Sequence, residues 1–252
     1  MLKEALAKGT IRATLCDLED YRPYPTIDDR ADWDAIPEPV RGAHFECAEG
    51  ICGESIPSLP ASRFLAYLDE ANGSKARDEY EGIYYPRRAR LEQLVIAECM
   101  GNDGRFLTQI LDYVWILLEE SSWSLPTHIV RQRVGATLPD VGEPIVDLFS
   151  AETANLLAWT RYLVGSRLDG LSPVIVPRID GEIRRRILDP CLKRDDFHWM
   201  GFKPKSPRHR PNNWNPWVCS NWLSCILLSE ADRDRRVEGV HRVTRVLDNF
   251  LE

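Results

Sequence analysis

The chain has 252 residues, 44% hydrophobic and 28% charged, which is enough apolar material for one large domain or two small ones and excludes a disordered tail. Lysine and arginine number 32 against 39 aspartates and glutamates, a formal charge of −7, so a nucleic-acid backbone is not an expected partner. The longest apolar runs, such as Tyr113 to Leu118, fall far short of the roughly 20 residues a membrane span needs, and no membrane partner is expected.

Residues 1–57 read as an N-terminal segment of short helices. They are broken by polar and proline-rich connectors such as Tyr21-Arg22-Pro23-Tyr24-Pro25-Thr26 and Pro37-Glu38-Pro39. The opening Met1-Leu2-Lys3-Glu4-Ala5 lacks the apolar stretch of a secretory signal, which predicts a cytoplasmic protein if Met1 is the true start. From Ser58 the pattern changes to long amphipathic helices. The first has Ser58 as its N-cap, Pro60 in its first turn, and Phe64, Leu65, Leu68 and Ala71 at helical spacing up to Gly73. Further helices are predicted over 75–85, 87–99 after Pro86, 105–120, 147–164, 173–192, 217–229 and 232–251. Apolar residues such as Phe106, Ile110, Leu111, Val114, Leu117 and Leu118 recur there every three or four positions. Two longer connectors stand apart, 121–144 and 195–216.

Strand-like alternation is scarce, so the expected fold class is all-α: a bundle, a solenoid or a closed α/α toroid. No repeat of fixed period is present, which weighs against a solenoid. Seven cysteines (Cys16, Cys47, Cys52, Cys99, Cys191, Cys219, Cys225) form an odd set without a CxxC pair and read as reduced thiols, mostly in the core. The five histidines show no ligand spacing, so no metal and no cofactor are expected.

The richest chemistry lies in Asn212-Asn213-Trp214-Asn215-Pro216-Trp217-Val218-Cys219-Ser220-Asn221-Trp222. Asparagine is a poor helix former and each tryptophan carries a large apolar surface, a combination that suits a carbohydrate cleft. Indole faces stack on sugar rings, and amides supply donors and acceptors to hydroxyls and carboxylates. The structural alternative makes an asparagine the N-cap, Pro216 a first-turn residue, and Trp217 and Trp222 core anchors. A second candidate runs from Glu119 and Glu120 through Trp123 to His128, where an imidazole can act as acid, base or sugar hydrogen bonder. Tyr84-Tyr85-Pro86-Arg87-Arg88 adds phenols and guanidinium groups suited to carboxylates. The basic stretch Lys203, Lys205, Arg208, His209 and Arg210 follows Asp195, Asp196 and His198, and offers the local positive field an acidic glycan needs. Arg184, Arg185 and Arg186 read as the outer face of a helix.

The Asn212–Trp217 and Ser220–Leu223 motifs, with Glu119 to Trp123, Pro126 and His128, resemble the heparinase II/III-like proteins of the polysaccharide-lyase group. The 184–190 stretch is also similar, and the likeness runs from about Tyr24 to the end. It implies a toroid over 58–252 followed by a β-sandwich domain, and cleavage of uronic-acid polysaccharides by β-elimination. In that chemistry Asn213 or Asn221 neutralises the uronate carboxylate, and His128 is the base or a cleft-binding residue. Substrate-binding roles fall to Asn212, Trp214, Asn215, Trp217, Trp222, Trp123, Glu120, Tyr85 and Arg88. The family continues past its Asn-Trp helix into a tyrosine-bearing segment, further helices and the sandwich. This chain therefore reads as a partial toroid lacking part of that active site and inactive by itself, while the full-length protein is a lyase.

Two alternatives stay open. A glycoside hydrolase would need opposed carboxylates, for which Glu119, Glu120, Asp195 and Asp196 are available. A non-catalytic glycan-binding domain would keep the aromatic groove alone. A terpene-cyclase-like fold is disfavoured, because the match Asp28-Asp29-Arg30-Ala31-Asp32 lies in the polar N-terminal segment.

Overall fold

A computed structural model describes residues 1–203 and 210–251, and among them the regular structure is entirely helical. In chain order the helices are α1 (Leu2–Ala5), α2 (Lys8–Thr14), α3 (Arg30–Asp34), α4 (Glu38–Cys52), α5 (Ala61–Leu68), α6 (Gly73–Gly101) and α7 (Leu107–Glu119). They continue with α8 (Pro126–Ile129), α9 (Leu148–Leu171), α10 (Ile175–Ile183), α11 (Asp189–Lys193), α12 (Trp214–Ser229) and α13 (Arg233–Leu251). Among the described residues no helix is long and apolar enough to cross a membrane. The chain forms two compact units, one of residues 1–22, 144–158 and 180–252, the other of 23–143 and 159–179. Residues 57 and 58 both belong to the second.

In the second unit the 29-residue helix α6 packs against α4, α5 and α7. The sequence predicts a break at Pro86, but the helix runs through it. Proline removes one ladder bond and crowds the carbonyl four residues back, at a cost of about 3 kcal/mol. Burial on both sides of the proline outweighs that cost, because Ala76, Tyr80 and Tyr84 before it and Leu91, Leu94 and Val95 after it are all buried. Pro60, not Ser58, occupies the position preceding α5, and that helix ends at Leu68 with Asp69 capping a separate 3-10 turn. Asp28 pairs with Arg167, and Asp29 accepts the backbone N–H and hydroxyl of Thr26, so both carboxylates serve local structure.

In the first unit α12 and α13 form the main helix pair. They approach closely at Gly239, where a Cβ would lie 2.8 Å from Ile226 Cδ1. The buried side of α12 is Asn215, Val218, Cys219, Trp222, Cys225 and Ile226, a helical spacing with one amide in it. Asp147 and Ser150 bond reciprocally at the start of α9, an N-terminal capping arrangement. The helix predicted over 173–192 is divided by a π-helical turn, Arg184–Leu188. Pro190 lacks the N–H that would serve the carbonyl of residue 186, so a wider turn relieves the mismatch. The turn exposes Arg184 and Arg185, but Arg186 is buried and bonds Glu182, which corrects the outer-face reading for that residue.

Candidate functional site

The Asn-Trp segment lies wholly in the first unit, where α12 separates its residues by face. Asn215 is fully buried, and its Nδ2 donates to the carbonyls of Trp199 and Val246, both at 2.8 Å. Its Oδ1 lies 3.9 Å from Cys219 Sγ. The amide therefore ties α12 to α13 and to the 198–200 turn, and is unavailable to a ligand. Trp222 is sealed in the core as well, with no partner for its Nε1 among the described residues. Trp222 thus follows the structural alternative, while Asn215 is structural as a buried tie between elements and not as an N-cap.

The opposite face is different. Trp217 is 39% exposed, and its Nε1 donates to Glu152 Oε1 at 3.0 Å. Asn213, one turn before it, is exposed at the start of α12 and makes no capping bond through its side chain. Asn221, one turn after, donates Nδ2 to the Trp217 carbonyl at 2.9 Å, and Ser220 Oγ donates to the same carbonyl at 2.9 Å. Ser224 continues the row. Asn212 is exposed, and its Oδ1 accepts the Trp214 N–H at 3.1 Å. Trp214 is half-buried and meets the His198 ring edge-on, with centroids 4.7 Å apart.

Close to this turn, Gly201 takes φ 76°, where a Cβ would lie 2.7 Å from Pro211 Cγ and 2.9 Å from Asn249 Cβ, so only glycine fits. The next residue, Phe202, is flanked by the guanidinium groups of Arg242 and Arg245, 5.3 and 5.5 Å from its ring centre. Lys203, Arg210 and Arg245 are exposed. Lys205, Arg208 and His209 lie outside the described residues. Arg242 and Arg245 escaped the sequence reading because they sit in an amphipathic helix far from the basic stretch. Glu152 escaped it because nothing in the sequence sets it apart from the other polar residues of α9.

The other candidates belong to the second unit. There the structure brings together Arg87, Arg88 and Glu120 as a largely buried ion cluster. Arg87 Nη1 lies 3.0 Å from Glu120 Oε1, and Arg88 Nη2 2.6 Å from Oε2. Arg87 also donates to the Pro57 carbonyl, and the Arg88 guanidinium rests 3.4 Å from the centre of the Tyr84 ring. Burial alone would lower the Arg88 pKa, but Glu120 and Tyr84 hold it above its ordinary value. Burial pushes the Tyr80 phenol up, and the Glu120 charge pushes it further. Trp123 is buried, with Nε1 donating to the Leu117 carbonyl at 2.7 Å, and its own carbonyl accepts the Tyr84 hydroxyl. Tyr85 is exposed at the rim, edge-on to Tyr84. His128 is half-buried on α8. Arg88, Glu120 and Trp123 thus hold the interior of this unit together.

All seven cysteines are free. Cys99, Cys191, Cys219 and Cys225 are buried, while Cys16, Cys47 and Cys52 are exposed, so the core assignment covers four of them. Burial pushes the thiols of Cys99 and Cys219 up to about 12. Among the described residues no three histidine, cysteine or carboxylate side chains gather as metal ligands. No family model matches the chain, and no curated protein sequence matches it.

Proposed function

We propose that the chain is a glycan-binding helical domain of the polysaccharide-lyase kind, holding a uronate-containing polymer on the outward side of α12. The observation that carries this reading is the row Asn213, Trp217, Ser220, Asn221 and Ser224, a half-open indole face bordered by amides and hydroxyls one helical turn to either side. An indole face covers the apolar side of a sugar ring, and the flanking amides address its hydroxyls and carboxylate. The exposed cations Lys203, Arg210 and Arg245 favour an acidic polymer despite the negative net charge. In the catalytic form of the proposal, the chain is part of an α/α toroid. Asn213 or Asn221 neutralises the carboxylate and so acidifies the neighbouring C–H for removal by a base.

The test is titration with alginate, polygalacturonate and hyaluronan, with neutral dextran as control, monitoring affinity calorimetrically and unsaturated product by ultraviolet absorbance. Binding of at least one uronate polymer is expected, with Trp217→Ala weakening it about tenfold or more, as for a central aromatic anchor. Binding without unsaturated product would mark a non-catalytic module. Affinity unchanged by Trp217→Ala would remove the proposed site.

A further inference from the structure

Beneath residues 8–17 of the first unit lies an arginine with an unusual environment. Arg236, on α13, is 1% exposed, and its Nη1 donates to the Cys16 carbonyl at 2.7 Å. Its Nε and Nη2 have no hydrogen-bond partner among the described residues. One turn earlier, Arg233 Nη2 donates to the carbonyls of Arg12 and Leu15, at 3.1 and 2.8 Å, and its Nη1 pairs with Asp17. Three carbonyl oxygens of the 12–16 stretch are thus gathered on two guanidinium groups.

We propose that Arg236 and Arg233 form a binding site for an oxyanion, a phosphate or a carboxylate, and that residues 8–17 occupy it as a displaceable strap. The arginine side chain stays charged, and a buried charge held only by a neutral carbonyl with donors left over is costly. An oxyanion gives a guanidinium shorter, charge-assisted bonds, two at once in the bidentate geometry, which backbone carbonyls do not match. The strap is fastened weakly by comparison. Within α2 only Ile11 is buried, and the side-chain ties Lys8–Glu238, Arg12–Asp234 and Asp17–Arg233 are exposed ion pairs of the kind that contribute little. Such a segment opens locally without global unfolding. This inference is independent of the glycan reading, since it uses none of the residues on the outward side of α12.

The full chain is to be examined by hydrogen exchange with inorganic phosphate and with citrate, each against sodium chloride at matched ionic strength. Saturable acceleration of the amides of residues 11–17 by one or both oxyanions, and not by chloride, is expected; which of them acts identifies the ligand class. Arg236→Gln should abolish the response, while Arg242→Gln should keep it. Ile11→Ala loosens the strap without touching the guanidinium groups, and should tighten oxyanion binding about tenfold or more, given the usual cost of truncating a buried isoleucine. Should Arg236→Gln fail to fold, the Ile11→Ala affinity decides the matter. An affinity unchanged by Ile11→Ala, equal acceleration by chloride, or no acceleration at all would overturn the proposal.

Discussion

Replacing Asn215 with alanine separates its structural role from the ligand-binding role that its neighbours suggest. The side chain is completely buried and donates two bonds at 2.8 Å. Truncation leaves the carbonyls of Trp199 and Val246 without these donors in a dry environment. Each such loss costs about 1–3 kcal/mol, with Val246 near the low end because a carbonyl inside α13 keeps its intrahelical bond. The sum is about 2–4 kcal/mol, a sizeable share of the roughly 5–15 kcal/mol that holds an ordinary domain folded. At about 2–4 °C per kcal/mol for a chain of this size, the melting temperature should fall by about 4–16 °C. Urea unfolding followed by circular dichroism gives the same quantity through the midpoint at constant slope. Asn213→Ala and Asn221→Ala, on the exposed side, should stay within about 0.5 kcal/mol of the parent. A loss below about 1 kcal/mol for Asn215→Ala, or one equal to that of Asn213→Ala, would refute the assignment of this amide to helix packing.

Glu120→Gln should destabilise the chain by about 3–5 kcal/mol in the same urea assay, because it leaves Arg87 and Arg88 as buried charges without their shared carboxylate. Acidification acts through other carboxylates. Burial raises Asp189, but Lys193 and Arg235 prevail and hold it below its ordinary range; burial likewise raises Glu182, which Arg185 and Arg186 hold down. A depressed folded-state pKa contributes stability that is present above the unfolded value and lost as pH falls through the folded one, so the unfolding midpoint should drop below about pH 4. Asp189→Asn should make that acid limb shallower. Burial raises Glu98 in spite of its bonds from the Gly104 and Phe106 N–H groups, so its contribution has the opposite sign, present when it is protonated and lost as pH rises, and Glu98→Gln should be more favourable to stability at pH 7 than at pH 3. A thiol reagent should modify Cys16 and Cys47 first and Cys52 more slowly, since burial raises the Cys52 thiol. Cys99, Cys191, Cys219 and Cys225 should react only on unfolding, as mass spectrometry of timed samples would show.

The all-helical character was legible from apolar spacing alone, and most helices fall within a few residues of their predicted ranges. Continuity through Pro86 was not legible, because the decisive term is burial of tyrosines and leucines against α4, α5 and α7, which no local propensity contains. The π-helical turn before Pro190 has a local cause instead, the missing N–H of that proline. Within the Asn-Trp segment the residue types did not tell which way each side chain faces. Asn213 and Asn215 are alike in sequence and differ only by about 200° of helical rotation, which places one in solvent and the other in the core. The Arg87–Glu120 contact spans 33 residues, and only the packing of α6 brings it about.

Under the glycan proposal, the two faces of α12 divide this composition between packing and binding. Binding a stiff polymer rewards groups that are already held in place, since each side chain ordered on binding costs affinity. Trp217 is restrained through Glu152, and Asn221 and Ser220 through the Trp217 carbonyl, so the outward row is held partly by its own bonds. Its register relative to the turn carrying His198, whose ring meets Trp214 of α12, depends instead on the buried side, where Asn215 fixes α12 to the Trp199 carbonyl. Under the glycan proposal, the asparagine that touches no sugar sets the spacing of those that do. Asn215→Ala should then weaken binding by less than Trp217→Ala, through misplacement of intact ligand groups.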